Sequence, residues 1–194
     1  MSKPALFDRE EVVSKATNLY WKKGFHATSM RNLQDEVDMR PGSIYSAFGN
    51  KDGLFKEALQ NYVNMGLARI QKCRDESDTP LQALKMFVKM QVIDTSDRAP
   101  NGVCMLAKTL GELTSEHQEL LDITKGHMAT ISAQFAKLIE EAQSVGEVDL
   151  SKDAKELASF VQIQITGLRT YAKINGDKKK LEEMIDNLFG HYPF

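Results

Sequence analysis

The sequence is short of what a secreted or membrane-spanning protein needs. Only two cysteines, Cys73 and Cys104, occur in 194 residues. That is too few for a disulfide scaffold and, without clustered histidines, no basis for a zinc site. They read as free thiols. No apolar run reaches membrane-spanning length. The opening "MSKPALFDREEVV" has no apolar signal core and no small-residue cleavage site, so the expected location is the cytoplasm. Strand-like alternation, internal repeats and low-complexity tracts are missing. So are glycine-rich phosphate loops, paired catalytic carboxylates and a Ser/His/Asp signature, which speaks against an enzyme. His26, His117, His127 and His191 are scattered, with no i, i+4 pair beside a carboxylate. No metal and no cofactor is expected.

What is there reads as helix nearly throughout. Asp8 and Glu11 have capping-box spacing, with Phe7 and Val12 placed as a hydrophobic staple, and Val12, Val13, Ala16, Leu19 and Tyr20 recur at helical spacing up to Gly24. Thr28 or Ser29 caps a second helix with Met30, Leu33 and Val37 on its apolar face. Pro41 opens a short third helix that buries some mixture of Ile44, Tyr45 and Phe48 before Gly49-Asn50 stops it. A long fourth helix carries Leu54, Phe55, Ala58, Leu59, Tyr62, Val63, Leu67 and Ile70 in one stripe. "TPLQ" (79–82) starts a fifth, running to about Asp94, and "TSDRAPNG" (95–102) is a loop. Helices over about 103–112, from Ser115 to Gly146, 151–175 and 178–191 complete an all-α chain of about nine helices. The helix at 151–175 has two apolar stripes, one through Leu157, Val161, Ile165 and Leu168, the other through Phe160, Ile163, Tyr171 and Ile174. A helix apolar on two sides is covered on two sides, and the second cover is expected to be another copy of the chain.

One stretch stands apart from a chain whose formal net charge is -2. "MRPGSIYSAFGNK" (39–51) holds Arg40 and Lys51 and no acid. Pro-Gly-Ser alone is ordinary turn chemistry. Two short helices joined by a tight turn near Asp38-Met39, however, have the helix-turn-helix layout, in which the second helix enters the DNA major groove. That helix would present Arg40, Pro41, Gly42, Ser43 and Ser46, with Tyr45 and Lys51 reaching phosphates. Thr28, Ser29 and Arg31 at the start of the preceding helix complete the expected DNA-binding set.

"GFHATSMRNLQDEVDMRPGSIYSAFGNKDGLFKEAL" (24–59) resembles the DNA-binding segment of the TetR family of bacterial transcriptional regulators. The matching positions are Gly24-Phe25, Thr28-Ser29, Leu33, Gly42-Ser43-Ile44-Tyr45, Phe48 and Lys51-x-x-Leu54. Asp38 stands where the family usually has Gly, and Arg40 where it usually has a Ser or Thr cap. The resemblance implies a helix-turn-helix head over 1–52 and an effector-binding and dimerisation domain over 53–194. It also implies a homodimer through the last two helices, a palindromic double-stranded operator, and release by a small-molecule effector.

Family effector pockets lie among helices four to eight. The candidates here are Phe87, Met90, Cys104, Met105, Thr109, His127, Met128, Gln164 and Tyr171, each of which competes with a plain core role. "NGVCMLAKTLGEL" (101–113) also resembles a subgroup with a Gly-Cys element opening the sixth helix and a Glu, here Glu112, about two turns on. Cys104 near a helix start, with Lys108 one turn later, leaves open a thiol-based redox or electrophile sensor. Cys73 is expected to be partly exposed. A helical adaptor with a non-functional DNA-binding head is the remaining alternative.

Overall fold

The computed structural model describes residues 7–94, 102–190 and 193–194. Among them are nine α-helices and no strand: α1 (Arg9–Lys23), α2 (Met30–Val37), α3 (Pro41–Phe48), α4 (Lys51–Asp75), α5 (Pro80–Lys89), α6 (Met105–Glu112), α7 (Gln118–Ser144), α8 (Ala154–Asn175) and α9 (Lys178–Gly190). A π-helical turn, Met90–Asp94, prolongs α5, and a 3-10 turn, Ser115–His117, precedes α7. The all-α expectation holds. The expected loop at 95–102 lies outside the described residues except for Gly102, as does His191. No described helix is long and apolar enough to cross a membrane.

The helix ends follow from local chemistry. The Asp8 carboxylate accepts the N–H groups of Glu10 and Glu11 at the start of α1. Of the two possible caps of α2, Ser29 is the one used. Thr79 caps α5 by accepting from the N–H of Gln82. Its hydroxyl donates to Glu147 Oε1 at 2.5 Å, while Glu147 Oε2 accepts the N–H of Leu81 at 3.1 Å. The Glu147 carboxylate thus sits at the positive end of α5, where the helix dipole favours it.

The helices form two compact units, Met1–Val63 with Met105–His127, and Asn64–Cys104 with Met128–Phe194. The first contains α1–α3, the first half of α4, α6 and the start of α7. Its core holds Tyr20, Phe25, Leu33, Ile44, Phe48, Phe55 and Leu106. Tyr20 and Phe55 meet edge to face at 4.7 Å between centroids, a favoured aromatic geometry.

The second unit has a continuous core through Leu84, Phe87, Val92, Phe135, Ile139, Val161, Leu168 and Ile185. The π-helical turn packs against both α8 and α9. Lys85 and Lys89 of α5 reach Asp186 of α9 at 3.1 and 2.8 Å, and hydrogen bonds from Lys89 and then Lys85 hold that carboxyl below its ordinary pKa. Cys73 is fully buried, contrary to the expected partial exposure. Burial and the nearby Glu76 push its thiol pKa up. Of the second apolar stripe of α8, Phe160 and Tyr171 pack partly against this core, whereas Ile163 and Ile174 are 67% and 75% exposed, with no cover among the described residues.

Candidate nucleic-acid interface

The turn between α2 and α3 is built by one unusual residue. Asp38 has φ 51° and ψ 46°, and it is the only non-glycine residue with positive φ among those described. Asp tolerates this left-handed conformation better than most side chains. Its N–H still closes α2 on the carbonyl of Gln34. Upstream, Ser29 Oγ accepts the N–H of Asn32 and Asn32 Oδ1 accepts the N–H of Ser29, both at 3.1 Å, a complete capping box.

α3 begins at Pro41, where a missing N–H costs nothing. Arg40 before it is extended and makes no side-chain cap, so its guanidinium is not tied to the helix end. Ile44 and Phe48 point into the core; Arg40, Pro41, Gly42, Ser43, Tyr45 and Ser46 are exposed. Tyr45, one of three residues read as sharing the buried side, is half exposed. A Cβ added at Gly42 would meet nothing within 4 Å, so the backbone there is open to close approach. Ser29 and Arg31 are exposed at the start of α2. Thr28 is fully buried, and its hydroxyl donates to the Gly24 carbonyl at 2.6 Å, so it shapes the turn from inside. Lys51 is half-buried at the start of α4, its Nζ 4.1 Å from the centroid of the Phe25 ring. Burial lowers the pKa of this amine.

Three side chains that carry no expected DNA contact hold this surface from behind. Arg9 bonds the Glu57 carboxylate, donates to the Ala47 carbonyl near the end of α3, and lies 4.4 Å over the Phe48 ring. Lys108 of α6 donates to the carbonyls of Trp21 and Lys22, at 3.3 and 2.9 Å, at the end of α1. Glu112, one turn further along α6, accepts the N–H of Phe25 at 3.0 Å and of His26 at 2.6 Å. Gly24 has φ +91°, and a Cβ there would collide with the Glu112 carboxylate. The α1–α2 turn therefore offers two successive N–H groups as an anion-binding nest, and Glu112 fills it. Lys108, read as a possible helper for Cys104 ionisation, is committed to the α1 carbonyls instead.

The expected effector residues divide between the two units. Met105, Thr109 and His127 belong to the first; Phe87, Met90, Cys104, Met128, Gln164 and Tyr171 belong to the second. Phe87 is core, 5.5 Å from the Phe135 ring. Met105 is buried, and the buried Thr109 hydroxyl donates to its carbonyl. His127 is half-buried, and burial lowers its pKa. Cys104, Met128, Gln164 and Tyr171 are partly exposed, and Met90 packs against the core of its unit. No group of three or more metal-ligating side chains occurs among the described residues.

Two family models match, "Bacterial regulatory proteins, tetR family" over residues 12–58 and "Tetracyclin repressor-like, C-terminal domain" over 80–188. The chain belongs to the TetR family. Its helix-turn-helix and its helical C-terminal part are those of a TetR-type transcription regulator, a class of DNA-binding proteins and not of enzymes. The HTH-type transcriptional repressor ComR of Escherichia coli K12 is 24% identical over 193 residues, covering 98% of this chain and 91% of ComR. The HTH-type transcriptional repressor BdcR of the same organism is 41% identical over 61 residues, 31% of each chain. Among solved structures, the TetR family regulator CifR, a cysteine mutant complexed with 26 bp double-strand operator DNA, superposes with a TM-score of 0.85 at 24% identity. The match covers 99% of this chain and 100% of that one. A TetR family regulator from Cytophaga hutchinsonii gives 0.78 at 18%, covering 94% and 92%. These structures share the TetR fold with this chain.

Proposed function

We propose that this TetR-family chain is a repressor that binds a palindromic DNA operator as a homodimer and is released by a small-molecule effector. The observation that carries the DNA-binding part is the exposed, acid-free face of α3, with Arg40, Ser43, Tyr45 and Ser46 outward and Gly42 open. Arg40 and Ser43 read base edges; Ser29, Arg31, Tyr45, Ser46 and Lys51 engage phosphates; Thr28 holds the α1–α2 turn in shape. Residues 1–52 act as the reading head and 53–194 as the sensing and pairing part.

Pairing rests on α8 and α9. Ile163, Ile174 and Met184 are exposed apolar side chains on these two helices. Two copies joined there would place their α3 helices about one DNA turn, roughly 34–36 Å, apart. α4 contributes to both compact units, so an effector that favours one position of α4 biases the spacing of the heads. It needs only to bind the DNA-incompetent state more tightly.

The deciding experiment is selection of random duplexes by the purified protein at low salt. A recovered palindrome whose affinity falls steeply with salt supports the reading. No enrichment would leave a helical adaptor in its place.

A further inference from the structure

Among the described residues, Arg169 is a buried cation without a counter-charge. It lies in α8 and is only 5% exposed. Its Nε donates to the Gly102 carbonyl at 3.1 Å, and its Nη2 is buried with no hydrogen-bond partner. No carboxylate among the described residues pairs with it. A guanidinium stays charged at every physiological pH and carries five N–H donors in a flat fork shaped for carboxylates. Burying such a charge unpaired is strongly unfavourable, so a buried arginine ordinarily has its anion.

The neighbourhood is cationic and amphipathic. Lys173 follows one turn later on the same side of α8, and its Cβ lies 3.8 Å from the position a Gly102 Cβ would take. Like Arg169, it forms no ion pair with the described residues. Two turns before Arg169 on the same stripe, Gln162 Oε1 is a second buried polar atom without a partner. The adjoining stripe of α8, Ile165, Leu168 and Ala172, belongs to the apolar core. An orphan donor and an orphan acceptor on one stripe, beside an apolar wall, describe a ligand with an anionic head and an apolar body.

We propose that Arg169 is the anchor for the effector's negative charge, and that the effector is a small organic carboxylate. Its carboxylate takes the free edge of the Arg169 guanidinium, Lys173 adds long-range attraction, and Gln162 accepts from a donor group further along the molecule. This rests on the effector-released regulator described above.

The test uses the full chain, the selected operator duplex and four probes: octanoate, benzoate, and their neutral amides, octanamide and benzamide. A carboxylate that binds should raise the Tm in step with the logarithm of its concentration, by on the order of 5 °C at ~100 times its dissociation constant. It should also weaken operator binding tenfold or more, while its amide does neither. Arg169→Gln should lose the carboxylate response and keep operator binding; Arg169→Lys, which keeps the charge and loses the fork, should respond weakly. Equal effects of acid and amide, no effect of either acid, or an undiminished response in Arg169→Gln would overturn the proposal. If Arg169→Gln does not fold, the acid–amide contrast on the unaltered protein decides. A chain that binds no duplex but still shows the acid-specific Tm shift loses the regulator reading and keeps the anion site.

Discussion

The Glu112 carboxylate and the backbone N–H of Phe25 meet at 3.0 Å, although 87 residues separate them in the chain. Glu112 also accepts from His26, so one side chain satisfies two successive donors of the α1–α2 turn. Glu112→Ala leaves both without that acceptor, one of them on a buried residue. The expected loss is ~1–3 kcal/mol of stability, with weaker operator binding because α2 loses its fixed entry. Glu112→Gln, which can serve only one donor through its carbonyl oxygen, should fall between. Chemical denaturation checks this; an Ala variant as stable as the parent would remove Glu112 from the supports of the head.

Lys51 is held over the Phe25 ring, so its charge is positioned before DNA arrives. Lys51→Ala should weaken binding to every duplex and reduce the salt slope by about 1. Unchanged affinity across a salt titration would take Lys51 off the contact surface.

On the proposed reading, Arg40 and Ser43 differ from Lys51 in kind. Arg40→Ala should relax discrimination at particular operator positions, by ~1–3 kcal/mol for a lost bidentate contact, and Ser43→Ala by less. Repeating the duplex selection with each variant measures this. A uniform drop in affinity with unaltered preference would reassign them to phosphates.

Ile163 and Ile174 are the most exposed apolar side chains of α8. Ile163→Asp should weaken pairing by at least ~2 kcal/mol, roughly thirtyfold, because it removes apolar burial and adds a desolvated charge. Sedimentation would then show a shift toward monomer and parallel loss of operator binding. A variant that pairs as before places the interface elsewhere.

The two thiols should part company. Cys104 is partly exposed and Cys73 fully buried, so a maleimide at neutral pH labels Cys104 first and Cys73 only on unfolding. Burial raises the Cys73 pKa above its ordinary 9.0, so above that pH the unfolded chain holds fewer protons than the native one. Stability therefore falls as pH rises through and beyond 9, and Cys73→Ala should remove part of that slope. The buried Tyr20, whose pKa is also raised, keeps its own contribution at higher pH. An unaltered slope in Cys73→Ala would count against a buried neutral thiol.

The helices were legible because their signals are local. Asp8, Ser29, Thr79, Gly24 and Gly146 set ends by their own backbone or side-chain chemistry, and the tight turn near Asp38-Met39 shows as the junction of two short helices. The exposed face of α3 was legible too, because the acid-free run between Arg40 and Lys51 falls on the second of two short helices joined by a tight turn. The supports were not. Glu112 and Lys108 stand out in the sequence only by their spacing from Cys104, yet their partners are backbone groups of α1 and the turn after it, which no spacing reveals. Arg9 reads as an ordinary first-turn charge. Arg169 left only a faint mark, an arginine directly after Leu168 at the edge of the apolar stripe of α8. That its guanidinium is buried without a carboxylate depends on side-chain packing that periodicity does not encode.

The unit that bears α3 is discontinuous in the chain, because α6 and the start of α7 belong to it. During synthesis, therefore, the head cannot be completed when its own segment leaves the ribosome. The carbonyls of Trp21 and Lys22 and the N–H groups of Phe25 and His26 wait for Lys108 and Glu112, more than eighty residues later. At ~5–20 residues per second that is an interval of several seconds. A nascent chain stopped before α6 has the whole helix-turn-helix sequence and lacks the Lys108 and Glu112 contacts that hold the end of α1 and the turn after it.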